Sequence, residues 1–194
     1  MYSSLSNGEI LRKTIHISGF AVSFVCIYLF NVPLVSMSLF LVTIGYAVSE
    51  LARTKGINVP VFSTITRKVA ASNAEMNHFV TAPISFAMGI ILALLIFPTY
   101  TAYASIAVLT LGDGFASIFG KIFGKTPLFF NRKKKFEGTI CGFTCAFLGS
   151  TLFINPLKAI VAAAVGMLAE CLPSPIDDNL VTPLSAGTAL ILFT

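Results

Sequence analysis

The chain has only eight carboxylates in 194 residues, and most of them stand beside glycine, proline or a cation. Asp113 lies between Gly112 and Gly114, after about a dozen mostly apolar residues. An ionisable group at membrane depth is costly and points to function. The flanking glycines permit a sharp helix break or the close approach of a phosphate. Such an aspartate can hold a divalent cation or accept the proton of an alcohol; the plainer reading is a capped helix end at an interface. Gly120 and Lys121 follow about two turns later. Downstream, Arg132, Lys133, Lys134 and Lys135 run directly into Phe136, Glu137, Gly138 and Thr139. A helix that starts here turns free N–H groups and the positive end of its dipole toward any phosphate. Lys135 and Glu137, tight against the helix start, are candidates on that ground, whereas Arg132–Lys134 read as a basic loop on anionic lipid.

Two more clusters share this character. Glu170, Asp177, Asp178 and Asn179 border a proline-rich turn. Carboxylates this close repel unless a cation compensates them, and Mg²⁺ prefers oxygen ligands and phosphate partners. One of the two aspartates also suits the cap of the following helix. Near the start stand Glu9, Arg12, Lys13 and His16; Glu9, Lys13 and His16 have helical spacing and can share a face, though basic residues also anchor many first spans. The segment Gly120–Thr126 resembles a P-loop but has three residues between its glycines where four are needed, so a Walker site is excluded. Acids for Mg²⁺, cations for phosphate and no Cys/His metal set point together to phosphoryl or nucleotidyl transfer, a chemistry of positioning and charge neutralisation.

The elements that must position these residues are membrane helices. The chain is 56% hydrophobic and 11% charged, with a mean hydropathy of +0.87. A soluble domain carries about 25% charged residues. Its net charge of +5 fits loops beside anionic lipid rather than nucleic-acid binding. Seven apolar segments are expected to span, at about Ile15–Val32, Leu34–Ala52, Phe79–Phe97, Tyr100 to Gly124 through the glycine–aspartate break, Gly138–Ile154, Leu157–Cys171 and Leu180–Thr194. The first follows Arg12–Lys13 as a signal peptide would, but its length suits a retained span. The stretch Thr54–Asn77 is expected at the interface, as a lid or a passive surface helix. Cys26, Cys141, Cys145 and Cys171 read as small buried hydrophobes. The fold expected is all-α: one polytopic helix bundle over residues 1–194, with its N-terminus inside. That orientation leaves Lys158 as the one basic residue outside and puts all eight acids, with His16 and His78, inside. A transporter would want polar groups near the midplane, whereas this layout suits an enzyme facing the cytoplasm, with a lipid substrate whose reactive head sits at the boundary.

In order along the chain, EILRKTIHI (Glu9–Ile17), GDGFASIFGKIFGK (Gly112–Lys125), KKFEGT (Lys134–Thr139) and ECLPSPIDDNLVTPL (Glu170–Leu184) resemble the CTP-dependent polyprenol kinase family of dolichol kinases, phytol kinases and the yeast-type diacylglycerol kinase. The resemblance implies a membrane kinase that moves the terminal phosphate of a nucleoside triphosphate, often CTP, to a lipid alcohol of dolichol, phytol or geranylgeraniol type. It implies Asp113 as general base or Mg²⁺ ligand, with Glu170, Asp177 and Asp178 on the metal–triphosphate. Lys135 and the following helix start would neutralise phosphate, and Glu137 would orient Lys135 or the metal. Gly112, Gly114, Lys121, Gly138, Thr139 and Asn179 complete the nucleotide side; Arg12, Lys13 and His16 fall on motif positions, with Lys13 and His16 on the acceptor side. The nearest rival is a cytidylyltransferase that makes a CDP-activated lipid; a small lipid or solute transporter is more distant.

Overall fold

The computed structural model describes residues 7–69 and 78–193. Met1–Ser6, residues 70–77 with Glu75, and Thr194 lie outside the described residues, so the interfacial stretch is seen only as far as residue 69. All named elements are helical: α1 (Asn7–Ser18), α2 (Ala21–Tyr28), α3 (Val32–Thr54), α4 (Pro60–Val69), α5 (Ala82–Ile96), α6 (Thr99–Ala107), a π-helical turn (Val108–Asp113), α7 (Gly114–Ile122), α8 (Phe136–Ser150), α9 (Pro156–Cys171) and α10 (Asp178–Leu192). An isolated antiparallel bridge joins Pro127 to Lys135 at the neck of the basic loop.

The apolar segments reappear as helices with ends set by local chemistry, except that the first, expected as one span over Ile15–Val32, is broken at Gly19–Phe20 into α1 and α2. Asn31 caps α3 through its side chain, which accepts from the Leu34 N–H, and Pro33 sits in the first turn where no N–H is needed. Asn155 caps α9 in the same way, accepting from Lys158. Among the described residues, three stretches are long and apolar enough to cross a membrane: Gly8–Tyr28, Val32–Thr54 and Thr99–Ile122. Helices α5, α8, α9 and α10 have 15, 15, 16 and 15 residues, which at 1.5 Å per residue gives roughly 23 Å, short of a hydrocarbon core of about 30 Å.

The Thr99–Ile122 rod is the pillar of the bundle. Some 72% of its most apolar window is buried, against 22% for each of the other two long stretches. Its neighbours reach it through small residues: Ala104, Ala107, Ala146, Ala162, Ala163 and Ala186 are wholly buried. In a lipid solvent such residues let helix backbones approach and gain van der Waals contact. A close crossing joins α7 to α8. A Cβ on Gly138 would stand 2.4 Å from the Ala116 carbonyl oxygen and 2.7 Å from the Gly120 Cα. One turn on, a Cβ on Gly142 would stand 2.6 Å from the Gly112 carbonyl oxygen. These glycines thus fix the helix carrying Asp113 against the helix carrying Glu137 and Thr139.

A second fastening lies outside the pillar. Glu50 of α3, wholly buried, takes two hydrogen bonds from Arg53 at 2.6 and 2.9 Å and one from the Val80 N–H at 2.9 Å. Arg53 also donates to the His78 carbonyl at 2.7 Å. Helix α4 joins this lock, because Thr66 donates to the Tyr46 hydroxyl, which in turn donates to the Val80 carbonyl. Within its described residues, the interfacial segment is therefore a helix moored to α3.

Candidate functional site

The pillar changes its winding where the chemistry begins. From Val108 to Asp113 the helix widens to the π form, a local distortion that recurs at functional sites. Asp113, the last residue of that turn, is buried at 8% exposure. Two side chains from α1 meet one of its oxygens. Lys13 Nζ lies 3.3 Å from Oδ2, and His16 Nε2 lies 3.2 Å from the same atom. With its proton on Nε2, His16 shares it between Oδ2 and the Leu109 carbonyl at 3.1 Å. The other oxygen, Oδ1, accepts from the Ser117 hydroxyl one turn along α7, at 3.3 Å. Gly114 makes the approach of α1 possible, since a Cβ there would stand 2.6 Å from the Ile17 side chain. Glu9 pairs with Lys121 a turn further out. The first and second sequence clusters therefore form one site, zipped together by α1 against α7. Arg12 is half-buried on the same helix.

Ser117 also lines a cleft of about 620 Å³. Its walls carry five lysines, Lys121, Lys125, Lys133, Lys134 and Lys135, with Gly120, Gly124, Thr139 and Glu170 between them. Across the cleft, Lys134 pairs with Glu170 and lies 2.8 Å from Asp178 Oδ2. Burial works against the charge of Lys134, but Glu170 and Asp113 hold the ammonium above the ordinary lysine range. The second, third and fourth sequence clusters thus meet at a single cationic cleft, and the first is joined to it through Asp113 and Lys121. Its potential attracts polyanions, and its low-dielectric walls strengthen that attraction.

Several predicted residues have other partners here. The Glu137 carboxylate accepts from the Thr126 N–H at 3.0 and 3.2 Å and closes the neck of the basic loop. The N–H groups at its own helix start and in that neck hold the carboxyl below the ordinary glutamate range. Lys135 is the residue before α8, its stem packed over Gly120 and Gly124. Thr139 donates to the Lys135 carbonyl and touches the Cys171 sulfur at 3.3 Å. Asp177 accepts from the Asn179 N–H at 2.9 Å, which makes it the cap of α10, and from Ser85 of α5 at 2.7 Å. The Asn179 carbonyl lies over Gly89, where a Cβ would come within 2.1 Å. Asp177 and Asn179 hold α10 to α5, while Asp178 is the member of the pair that points to Lys134. Cys26 and Cys171 are buried; Cys141 and Cys145 are half-buried.

The basic loop needs the main correction. Arg132–Lys134 read from sequence as lipid-facing, but Lys133 and Lys134 line the cleft and Lys134 is its centre. The loop is folded back: the Leu128 N–H donates to the Lys134 carbonyl at 3.0 Å, and Asn131 Nδ2 donates to the Cys171 carbonyl at 3.1 Å. Nothing in a run of four cations distinguishes the one that turns inward. Ser117 also went unmarked in the sequence, although its spacing of four from Asp113 on a helix is a usable signal.

The donor set bears on a divalent cation. Among the described residues, no group of three His, Cys, Asp or Glu side chains is gathered closely enough to hold a metal. Glu170 and Asp178 nevertheless converge on one cationic atom, the Lys134 nitrogen. Two carboxylates facing one point fit Mg²⁺, which keeps waters and takes phosphate oxygens for its remaining positions.

No family model and no solved structure matches the chain. Curated proteins do. A Triticum aestivum protein named "Probable phytol kinase, chloroplastic" is 26% identical over 65% of this chain and 48% of its own length. A Glycine max protein named "Probable phytol kinase 2, chloroplastic" is 30% identical over 61% of this chain and 47% of its own. "Farnesol kinase, chloroplastic" of Arabidopsis thaliana is 28% identical over 64% and 46%. The chain thus spans about half the length of the curated relatives it matches. Homologues named phytol kinase and farnesol kinase, over most of the chain, support a polyprenol kinase family, as the sequence motifs imply.

Proposed function

We propose that this protein phosphorylates a membrane isoprenoid alcohol, taking the terminal phosphate of a nucleoside triphosphate, with CTP the first candidate. One observation carries the reading: a buried aspartate held on one oxygen by Lys13 and His16 is bonded on its other oxygen by Ser117, which lines a lysine-rich cleft. Phosphoryl transfer needs little more than positioning and charge neutralisation, and both are present.

In this reading Lys121, Lys125, Lys133 and Lys135 neutralise the triphosphate, and the Gly138–Thr139 helix start adds N–H groups to it. Glu170 and Asp178 hold Mg²⁺, which supplies further charge neutralisation at the phosphates. Asp113 is the general base. Lys13 and His16 hold Oδ2 and keep the carboxylate charged and oriented. Oδ1, now bonded by Ser117, accepts the proton of the alcohol as its oxygen attacks phosphorus. The isoprenoid tail remains in lipid, with the active site on the cytoplasmic face, the N-terminus inside, and the shorter helices completing seven crossings. The distribution of charge supports that orientation. Lys158 stands near the start of α9 and Glu170 near its end, 12 residues apart or roughly 18 Å along the axis.

The test is turnover by purified protein with Mg²⁺, each nucleoside triphosphate and a panel comprising phytol, farnesol, a polyprenol and diacylglycerol. The expected product is a lipid monophosphate with release of nucleoside diphosphate. Release of pyrophosphate with a CDP-lipid would replace the kinase by the cytidylyltransferase reading, and no lipid phosphate with any pair would overturn it.

A further inference from the structure

Lys134 is the one cation of the cleft that is already engaged by carboxylates from two helices. Glu170 at the end of α9 is wholly buried, and Asp178 begins α10. A buried carboxylate is costly unless a cation and hydrogen bonds compensate it. Lys134 does this for Glu170, with the Cys171 thiol donating to the other oxygen at 3.3 Å. The backbone under Lys134 is fixed: its N–H donates to the Asn131 carbonyl, its carbonyl accepts from Leu128, and Asn131 is docked on Cys171. The side chain is the part that can move. It is a flexible four-carbon stem with a point charge at its tip, 25% exposed to the cleft.

We propose that Lys134 is a placeholder for the divalent cation, and that its transfer from Glu170 and Asp178 to nucleotide phosphate makes metal and nucleotide bind as a unit. The inference rests on the cleft accepting a nucleoside triphosphate, as proposed above. The charges drive it. With Lys134 in place, the two carboxylates and one ammonium sum to −1; with a divalent cation in its stead they sum to zero. A metal ion arriving alone must push the ammonium into a cleft lined by Lys121, Lys125, Lys133 and Lys135, where like charges repel it. A triphosphate reverses that penalty, because it offers the displaced ammonium an anionic partner. Each ligand therefore raises the affinity of the other by the same factor, as linkage requires. Lys134 is then a positioning residue, and it guards Glu170 against ionisation without a partner.

The experiment measures Mn²⁺ binding by electron paramagnetic resonance, with and without a β,γ-imido nucleoside triphosphate. Wild type is expected to bind Mn²⁺ at least about tenfold more tightly with the nucleotide analogue than without it. Lys134→Met should bind Mn²⁺ without nucleotide at least about tenfold more tightly than wild type and lose most of the coupling. Arg132→Met removes the same charge from the same loop, outside the cleft lining, and should behave as wild type. Lys134→Arg keeps the pairing should the methionine variant fail to fold. Its planar fork grips both carboxylates, so Mn²⁺ binding with nucleotide should weaken. Nucleotide-independent Mn²⁺ affinity in wild type would overturn the proposal. So would a Lys134→Met variant no tighter than Arg132→Met, or a Lys134→Arg variant that binds as wild type does. Lipid monophosphate formed by a wild type without this coupling would overturn the placeholder alone. Coupling without any lipid product supports it and overturns the kinase reading alone.

Discussion

Removal of Lys13 should reveal how strongly α1 holds Asp113. In Lys13→Met, the carboxylate keeps His16 and Ser117 but loses the lysine contact at Oδ2. Breaking a buried ion pair costs about 3–5 kcal/mol. The side chains here are 16% and 12% exposed and His16 remains, so about 2–3 kcal/mol is expected. For a chain of this size each kcal/mol lowers Tm by about 2–4 °C, giving a drop of roughly 4–12 °C. Asp113→Asn leaves the lysine as the buried, uncompensated charge and should cost a similar amount. The double variant has no charge left to compensate, so its loss should be smaller than the sum of the singles by about 1–2 kcal/mol, or roughly 2–8 °C. Thermal unfolding in one detergent, followed by helical circular dichroism, closes the cycle. Additivity within about 0.5 kcal/mol would show that Lys13 and Asp113 do not interact in the folded protein and would remove the clamp from the mechanism.

The site's other parts carry separate expectations. Asp113→Asn should lower kcat by about 10²–10⁴-fold, as loss of a general base does, with nucleotide KM little changed; an unchanged kcat in the phosphorylation assay would exclude Asp113 as the base. Ser117→Ala should lower kcat/KM for the alcohol by no more than about tenfold, because only one hydrogen bond is lost; a loss as large as that of Asp113→Asn in the same assay would give Ser117 more than a positioning contact. Gly138→Ala puts a Cβ into the Ala116 carbonyl and the Gly120 Cα, and such overpacking should cost about 1–3 kcal/mol or more in thermal unfolding; a neutral result would mean that α7 and α8 are not so close. Glu137 titrates below its ordinary value, so the loop neck it closes is stabilised above that value and loses this contribution as pH falls through the lower one. Hydrogen exchange at the Thr126 amide should quicken in Glu137→Gln at neutral pH and in wild type only in acid; equal protection in both would contradict the contact.

The helices were legible because apolar runs, Asn caps and proline starts are local signals: six of the seven apolar segments reappear within a few residues, while the first is divided between α1 and α2. Which helix forms the pillar was not legible by hydropathy. Val32–Thr54 is as apolar as any, yet it lies at the periphery, while the alanine- and serine-bearing Thr99–Ile122 is central. Small residues reveal packing, and packing depends on partners far away in sequence. The same holds for the site. Asp113, Glu170 and Asp178 stand out because charge is rare here. The pairing of Lys13 with Asp113, or of Lys134 with Glu170, depends on where helix ends meet in space. Glu50 shows the converse: an acid near the end of an apolar helix looks chemical, and its three hydrogen bonds are spent on holding two segments together.

The division of labour between small residues and charges explains how such a site can be both buried and stable. In lipid, apolar contact between helices gains nothing from water release, so glycine and alanine crossings must supply rigidity through close packing. They do so along the body of the pillar, from Ala104 to Gly120. The ionic contacts of the site bring in partners from other elements: Glu9 meets Lys121, Lys13 meets Asp113, and Lys134 meets Glu170 and Asp178. Each joins elements that are remote in sequence, so each depends on the packing to bring its partners together. A substitution in the glycine seam should therefore damage the site indirectly, raising nucleotide KM and lowering kcat together as α7 shifts against α8. A substitution at a charged residue should affect one of these constants more than the other. The two patterns are separable in one set of steady-state measurements on Gly142→Ala and Lys125→Ala. A Gly142→Ala variant that changed nucleotide KM alone would show that the packing and the chemistry are not coupled in this way.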